Sequence, residues 1–162
     1  MMTGTPNVNK LLPFYQIITL ILLLGFAIYD YRHHKVRNAA LLAFLPWCLF
    51  AVSVSLLQNP LLPLFIPLFT SVLGFLSGGL LLLTISMATN GGIGGGDIKL
   101  TALLGLCYGT TGILASLTAA AFLALIHLGI RKLWKKEHSD HIAFVPYLTA
   151  GCGLVTLLAY CL

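Results

Sequence analysis

The stretch Leu11-Leu12-Pro13-Phe14-Tyr15-Gln16-Ile17-Ile18-Thr19-Leu20-Ile21-Leu22-Leu23-Leu24-Gly25-Phe26-Ala27-Ile28-Tyr29 runs straight into Asp30-Tyr31-Arg32-His33-His34-Lys35-Val36-Arg37-Asn38. A bilayer crossing needs roughly 20 mostly apolar residues, and this run supplies them before a charged segment closes it. It ends at Tyr29-Asp30 without a small-residue cleavage site, so it reads as a retained helix rather than a removed targeting segment. The whole composition agrees: 59% of the 162 residues are hydrophobic and 8% are charged, with a mean hydropathy of +0.98. A soluble domain needs far more charged surface. The sequence therefore predicts an all-α, polytopic membrane protein in the lipid bilayer, one transmembrane domain over residues 1–162.

Outward from the first run, a second apolar stretch covers about 39–57, and Gln58-Asn59-Pro60 makes a turn because proline cannot continue the ladder. A third covers about 61–86, with Pro63 and Pro67 bending its first turns. Then comes Thr89-Asn90-Gly91-Gly92-Ile93-Gly94-Gly95-Gly96-Asp97, too rich in glycine for a stable helix and read as a loop or unwound stretch. The next apolar piece, 98–108, offers roughly 16 Å of helix, short of a full hydrocarbon core, so it is expected to be short, tilted or partly re-entrant. Further stretches at about 111–130 and 142–161 flank a basic segment. The expectation is a bundle of six helices (11–29, 39–57, 61–86, 98–108, 111–130, 142–161), with a short fourth helix after the glycine-rich loop. If all six cross, Arg32, Lys35, Arg37, Lys99, Arg131, Lys132, Lys135 and Lys136 share one face and Lys10 lies opposite. The excess of lysine and arginine assigns that face to the cytoplasm.

The formal charge of +5 is explained by those loop cations, and no nucleic-acid binding is expected. Cys48, Cys107, Cys152 and Cys161 never form the paired spacing of a zinc or redox motif and read as small packing residues.

Two of the four acidic residues, Asp30 and Asp97, stand at ends of apolar segments on the proposed cytoplasmic face. A carboxylate at the edge of hydrocarbon is costly and marks either a functional site or a charge rescued by a neighbouring cation. The plain reading of Asp30 is a solvated helix end beside Arg32 and Lys35, and that of Asp97 a helix N-cap. The functional reading pairs them. Two close carboxylates do not both ionise easily, so one keeps a proton while the other can activate water. Gly94, Gly95 and Gly96 place side-chain-free backbone directly before Asp97, where an extended substrate backbone can approach.

Gly94-Gly95-Gly96-Asp97 followed by Ile98-Lys99-Leu100 resembles the GxGD motif of the membrane aspartyl proteases, specifically the prepilin peptidases. In that family the first catalytic aspartate ends the first core helix and precedes a basic stretch closing in Pro-Asn. Asp30 to Asn38 is similar, with Arg37 at the proline position. Ile142-Ala143-Phe144-Val145-Pro146-Tyr147-Leu148 looks like the Phe-x-Pro segment that opens the family's last helix. The resemblance implies an aspartic endopeptidase with Asp30 and Asp97 as its dyad. It would cut the basic leader from a pilin-like precursor on the cytoplasmic side of the inner membrane, with no metal or cofactor. The chain lacks the family's cysteine-containing cytoplasmic insertion, which implies proteolysis without N-methylation.

Lys99 lies about 200° around a helix from Asp97 and should point away from it, as an interface anchor. Glu137-His138-Ser139-Asp140-His141 holds metal-ligand residue types, but a polar loop with no second ligand group is the plainer reading. His127 reads as a hydrogen-bonded packing residue. Gly91 to Gly96 is not a phosphate loop, since no lysine and hydroxyl follow the last glycine. Gly74, Gly78 and Gly79, with Ser71 and Ser77, fit close helix packing. Two rival functions stay open: a small proton-coupled transporter or channel using the two carboxylates, and a non-catalytic assembly protein.

Overall fold

A computed structural model describes residues 8–33, 37–58, 65–89, 92–133 and 144–161. Among these it is all-helical, with α1 (Val8–His33), α2 (Asn38–Gln58), α3 (Phe65–Ala88), α4 (Gly95–Leu133) and α5 (Val145–Cys161). Three helices contain segments long and apolar enough to cross a membrane, Phe14–His33, Phe65–Ala88 and Gly95–Ile130, while α2 and α5 contain shorter apolar segments. Large apolar side chains such as Phe14, Leu42, Phe122 and Leu157 stay exposed on the outside of the bundle. That is the pattern of helices whose outer surface meets lipid rather than water.

The helix count corrects the expectation of six: the described residues form five. The segments 98–108 and 111–130 belong to one element, α4, bent at Gly109, where φ is 66° and ψ is −176°. The physical reason is that a single glycine makes the turn. A residue with side chain rarely adopts that positive φ, whereas glycine adopts it without steric cost, so no linker is needed. Both arms of α4 then lie against α3. A Cβ on Gly78 would meet the carbonyl oxygen of Thr101 at 2.9 Å and the side chain of Ile113 at 3.1 Å. Straight, the 39 residues of α4 would reach about 58 Å, nearly twice the hydrocarbon thickness.

Close packing of α3 on α4 depends on missing side chains. A Cβ on Gly74 would lie 2.2 Å from the Gly105 oxygen, and one on Gly151 of α5 2.4 Å from the Ser116 oxygen. Such backbone contact supplies the dispersion that holds membrane helices together where lipid removes the hydrophobic drive. The core around it is aliphatic: Leu23, Leu100, Leu104, Ile113, Val145 and Leu148 are fully buried. Phe26 of α1 meets Phe44 of α2 edge-on with ring centroids 5.6 Å apart.

Boundaries shift in places that matter for the site. Helix α1 continues past Tyr29 to His33, so Asp30 lies inside the last turns rather than beyond them. Helix α4 starts at Gly95, so Gly95 and Gly96 are helical and not loop. Pro67 falls in the first turn of α3, where a missing N–H costs nothing. Pro46 lies inside α2, and its missing N–H leaves one carbonyl of the previous turn without its helical donor. The turn at 59–60, Pro63, His34, Lys35 and the Glu137–His141 cluster lie outside the described residues.

Candidate active site

Asp30, near the C-terminal end of α1, is 3% exposed. Its Oδ2 accepts a hydrogen bond from the backbone N–H of Val145 at 3.3 Å. Val145 is the first residue of α5, and Phe144 before it caps the helix, its carbonyl accepting from Tyr147 at 3.1 Å and Leu148 at 3.2 Å. The end of α1 and the start of α5 thus meet in antiparallel fashion, and one turn deeper Thr149 donates to the Leu23 carbonyl at 3.4 Å.

Asp97 stands in the first turn of α4. It is not the N-cap. Gly94 takes that place, its carbonyl accepting from the backbone N–H of Asp97 at 3.0 Å and of Ile98 at 3.4 Å. The Asp97 carboxylate turns back over the loop, so that a Cβ on Gly94 would sit 3.7 Å from its Oδ2. Nothing lies within 4 Å of the Cβ position of Gly95, and Gly94 and Gly95 are exposed. The loop is tied to α3 by Ser86, whose hydroxyl donates to the Ile93 carbonyl at 3.1 Å.

Asp97 is partly buried, and Asp30 lies within electrostatic range of it. Lys99 does not join them, because its ammonium donates to Asn38 Oδ1 at 3.2 Å. Both residues line an apolar groove of about 660 Å³ between α2, α3 and α4, together with Leu42, Leu45, Phe75, Leu80 and Ile98 among others. Ile98 and Lys99 directly follow Asp97, so the groove reaches the helical turn that carries it.

Other residues singled out by sequence have structural partners. His127 pairs with the Tyr147 hydroxyl, joining α4 to the first turn of α5. The four cysteines are unpaired thiols, Cys48 and Cys152 fully buried. No cluster of potential metal ligands occurs among the described residues. Two site neighbours, Asn38 and Val145, carried no local signal of their roles; each is defined by a contact across the bundle that only the folded chain makes.

The sequence profile of the type IV leader peptidase family matches residues 17–129, a stretch that includes both aspartates. The chain belongs to the type IV leader peptidase family. A curated relative, the prepilin leader peptidase/N-methyltransferase of Bacillus subtilis (strain 168), is 30% identical over 156 residues. That alignment covers 91% of this chain and 55% of the relative, so the chain spans about half the relative's length. No solved structure matches. Within this chain, α5 lies beyond the profile match, although its first residue touches Asp30.

Proposed function

We propose that this leader peptidase family member is an aspartic endopeptidase that removes the basic leader from a type IV pilin-like precursor, with Asp30 and Asp97 as its dyad. The observation that carries the reading is that these two carboxylates, at opposite ends of separate helices, lie within electrostatic range of each other. In the reaction, the ionised carboxylate takes a proton from water and the water oxygen bonds to the scissile carbonyl carbon. The protonated partner assists at the carbonyl oxygen. The carbon–nitrogen bond then breaks and the departing amine takes up a proton from the dyad. This chemistry uses no metal or cofactor.

The surroundings support a peptide substrate. Exposed Gly94 and Gly95 leave room for an extended backbone beside Asp97. The groove between α2, α3 and α4 offers aliphatic walls to an apolar helix following the cut bond. The excess of lysine and arginine on the face carrying both aspartates assigns cleavage to the cytoplasmic side of a multi-pass inner-membrane protein.

A transporter would place its polar side chains along a route through the bundle. Here the buried hydroxyls of Thr19, Thr101, Ser116, Thr149 and Thr156 each donate to a carbonyl one turn back in their own helix. The deciding experiment is co-expression of a pilin-like precursor with the unaltered chain, with Asp30→Asn and with Asp97→Asn. Gel mobility and N-terminal sequencing read the product. Loss of cleavage in both folded variants is expected; processing that survives either change returns the protein to the transporter or assembly class.

A further inference from the structure

We infer that the backbone N–H of Val145 is a positioning group for Asp30, which makes the N-terminus of α5 a working part of the active site. The inference rests on the reading of Asp30 as a catalytic carboxylate. It begins with an accounting of the free donors at the start of α5. The first turn of any helix leaves N–H groups without intrahelical partners. In α5, Pro146 has no N–H, and those of Tyr147 and Leu148 go to the Phe144 carbonyl. The Val145 N–H is directed across the bundle to Asp30 Oδ2 at 3.3 Å.

Both partners are held in place. Val145 is fully buried and Asp30 is 3% exposed, so neither side chain drifts. One turn on, the Thr149 hydroxyl donates to its own helix at Val145 O, 2.8 Å away, and reaches Leu23 O on α1 at 3.4 Å. Gly153, a further turn along, lies 4.0 Å from Leu20 of α1 at its Cβ position. These contacts fix the register of α5 on α1, and with it the direction in which the N–H meets the carboxylate. A carboxylate that must share one water with Asp97 loses rate steeply when its orientation is loose. A donor on the backbone of a packed helix is a more rigid holder than any side chain.

The contact can be deleted with little disturbance. Proline is well suited to the first position of a helix, and the residue before it favours the extended backbone of an N-cap. Val145→Pro therefore removes the N–H while keeping a side chain of similar size. An amide-to-ester exchange at residue 145 removes it while keeping valine itself. Tyr147→Phe supplies the comparison, since it loosens the same end of α5 through its His127 contact and leaves the Val145 N–H in place.

The test measures kcat and KM on a precursor peptide with the full chain in lipid nanodiscs, alongside thermal unfolding. Loss of a hydrogen bond to a charged group corresponds to about 10- to 100-fold in kcat. That fall is expected in Val145→Pro with KM within about twofold, while Tyr147→Phe keeps its kcat within the same margin. Should Val145→Pro fail to fold, the ester variant decides by the same reading. Full kcat in the variant lacking the N–H overturns the inference, as does an equal fall in Tyr147→Phe. If Asp30→Asn still cleaves, the proposed function itself falls; if Asp30→Asn is inactive and the N–H variant is fully active, only this inference does.

Discussion

Gly74 of α3 and Gly105 of α4 touch backbone to backbone: a Cβ on the first would lie 2.2 Å from the carbonyl oxygen of the second, and one on the second 2.1 Å from that of the first. Neither neighbour is the flexible end of a side chain, so an added methyl forces the helices apart. Gly74→Ala and Gly105→Ala should each destabilise the protein by about 1–3 kcal/mol, the range for overpacking. Gly25→Ala, inside α1 where nothing lies within 4 Å, should not lower the thermal midpoint and should raise it slightly through helix propensity. Unfolding of all three variants in the same detergent checks this, and an undisturbed Gly105→Ala would show that the two helices do not cross as described.

The bend at Gly109 makes a separate prediction, because space is not what limits it. The nearest atom to its Cβ position is the Thr70 oxygen at 4.0 Å, while φ is +66°. With ψ at −176° the residue lies in a region that essentially only glycine occupies, so a residue with side chain there costs roughly 1–3 kcal/mol. Gly109→Ala and Gly109→Asn should therefore both lower the thermal midpoint, since asparagine is favoured only where ψ is also positive. An unchanged midpoint in Gly109→Asn would contradict this backbone conformation.

The Asn38–Lys99 contact at 3.2 Å joins two residues that line the groove, so they should act as one unit toward substrate. Asn38→Ala and Lys99→Ala are each expected to raise KM severalfold with kcat within about twofold, as removal of uniform binding does. The double variant should be no worse than the stronger single one. Additive effects in steady-state kinetics would mean that they serve substrate independently.

Filling the groove tests where the substrate's apolar helix lies. Leu42 and Leu80 line it and are 75% and 54% exposed, so Leu42→Trp and Leu80→Trp should be tolerated by the fold. Each should raise KM by about tenfold or more by occluding the site. Phe122→Trp, on the exposed outer arm of α4 and away from the groove, should not. Kinetics that treat all three alike would move the substrate path elsewhere.

Much of the helical framework was legible in sequence because lipid-facing helices need long apolar runs, and Leu11 to Tyr29 or Ala39 to Leu57 announce themselves by length alone. The glycines of α3 were legible as packing residues for the same reason, since a membrane interface favours small side chains. The single-residue turn at Gly109 was not legible, because composition marks a break between apolar runs but not the φ that closes it. Gly95 and Gly96 misled in the other direction. Intrinsic propensity disfavours them in a helix by about 1 kcal/mol each, yet they begin α4 once Gly94 caps it. For the site, scarcity and motif singled out Asp30 and Asp97. The Val145 contact to Asp30 spans 115 residues, and no local pattern encodes it.

That separation along the chain has a consequence for biosynthesis. Asp30 lies in α1, Asp97 arrives with α4, and Val145 opens α5. A polypeptide still emerging from the ribosome with only its first three helices inserted holds one carboxylate and no partner. On the proposed dyad, the two carboxylates are both present only after α4 has packed against α3, and the proposed positioning contact forms only when α5 docks on α1. Insertion order would then set the moment at which such a site is complete.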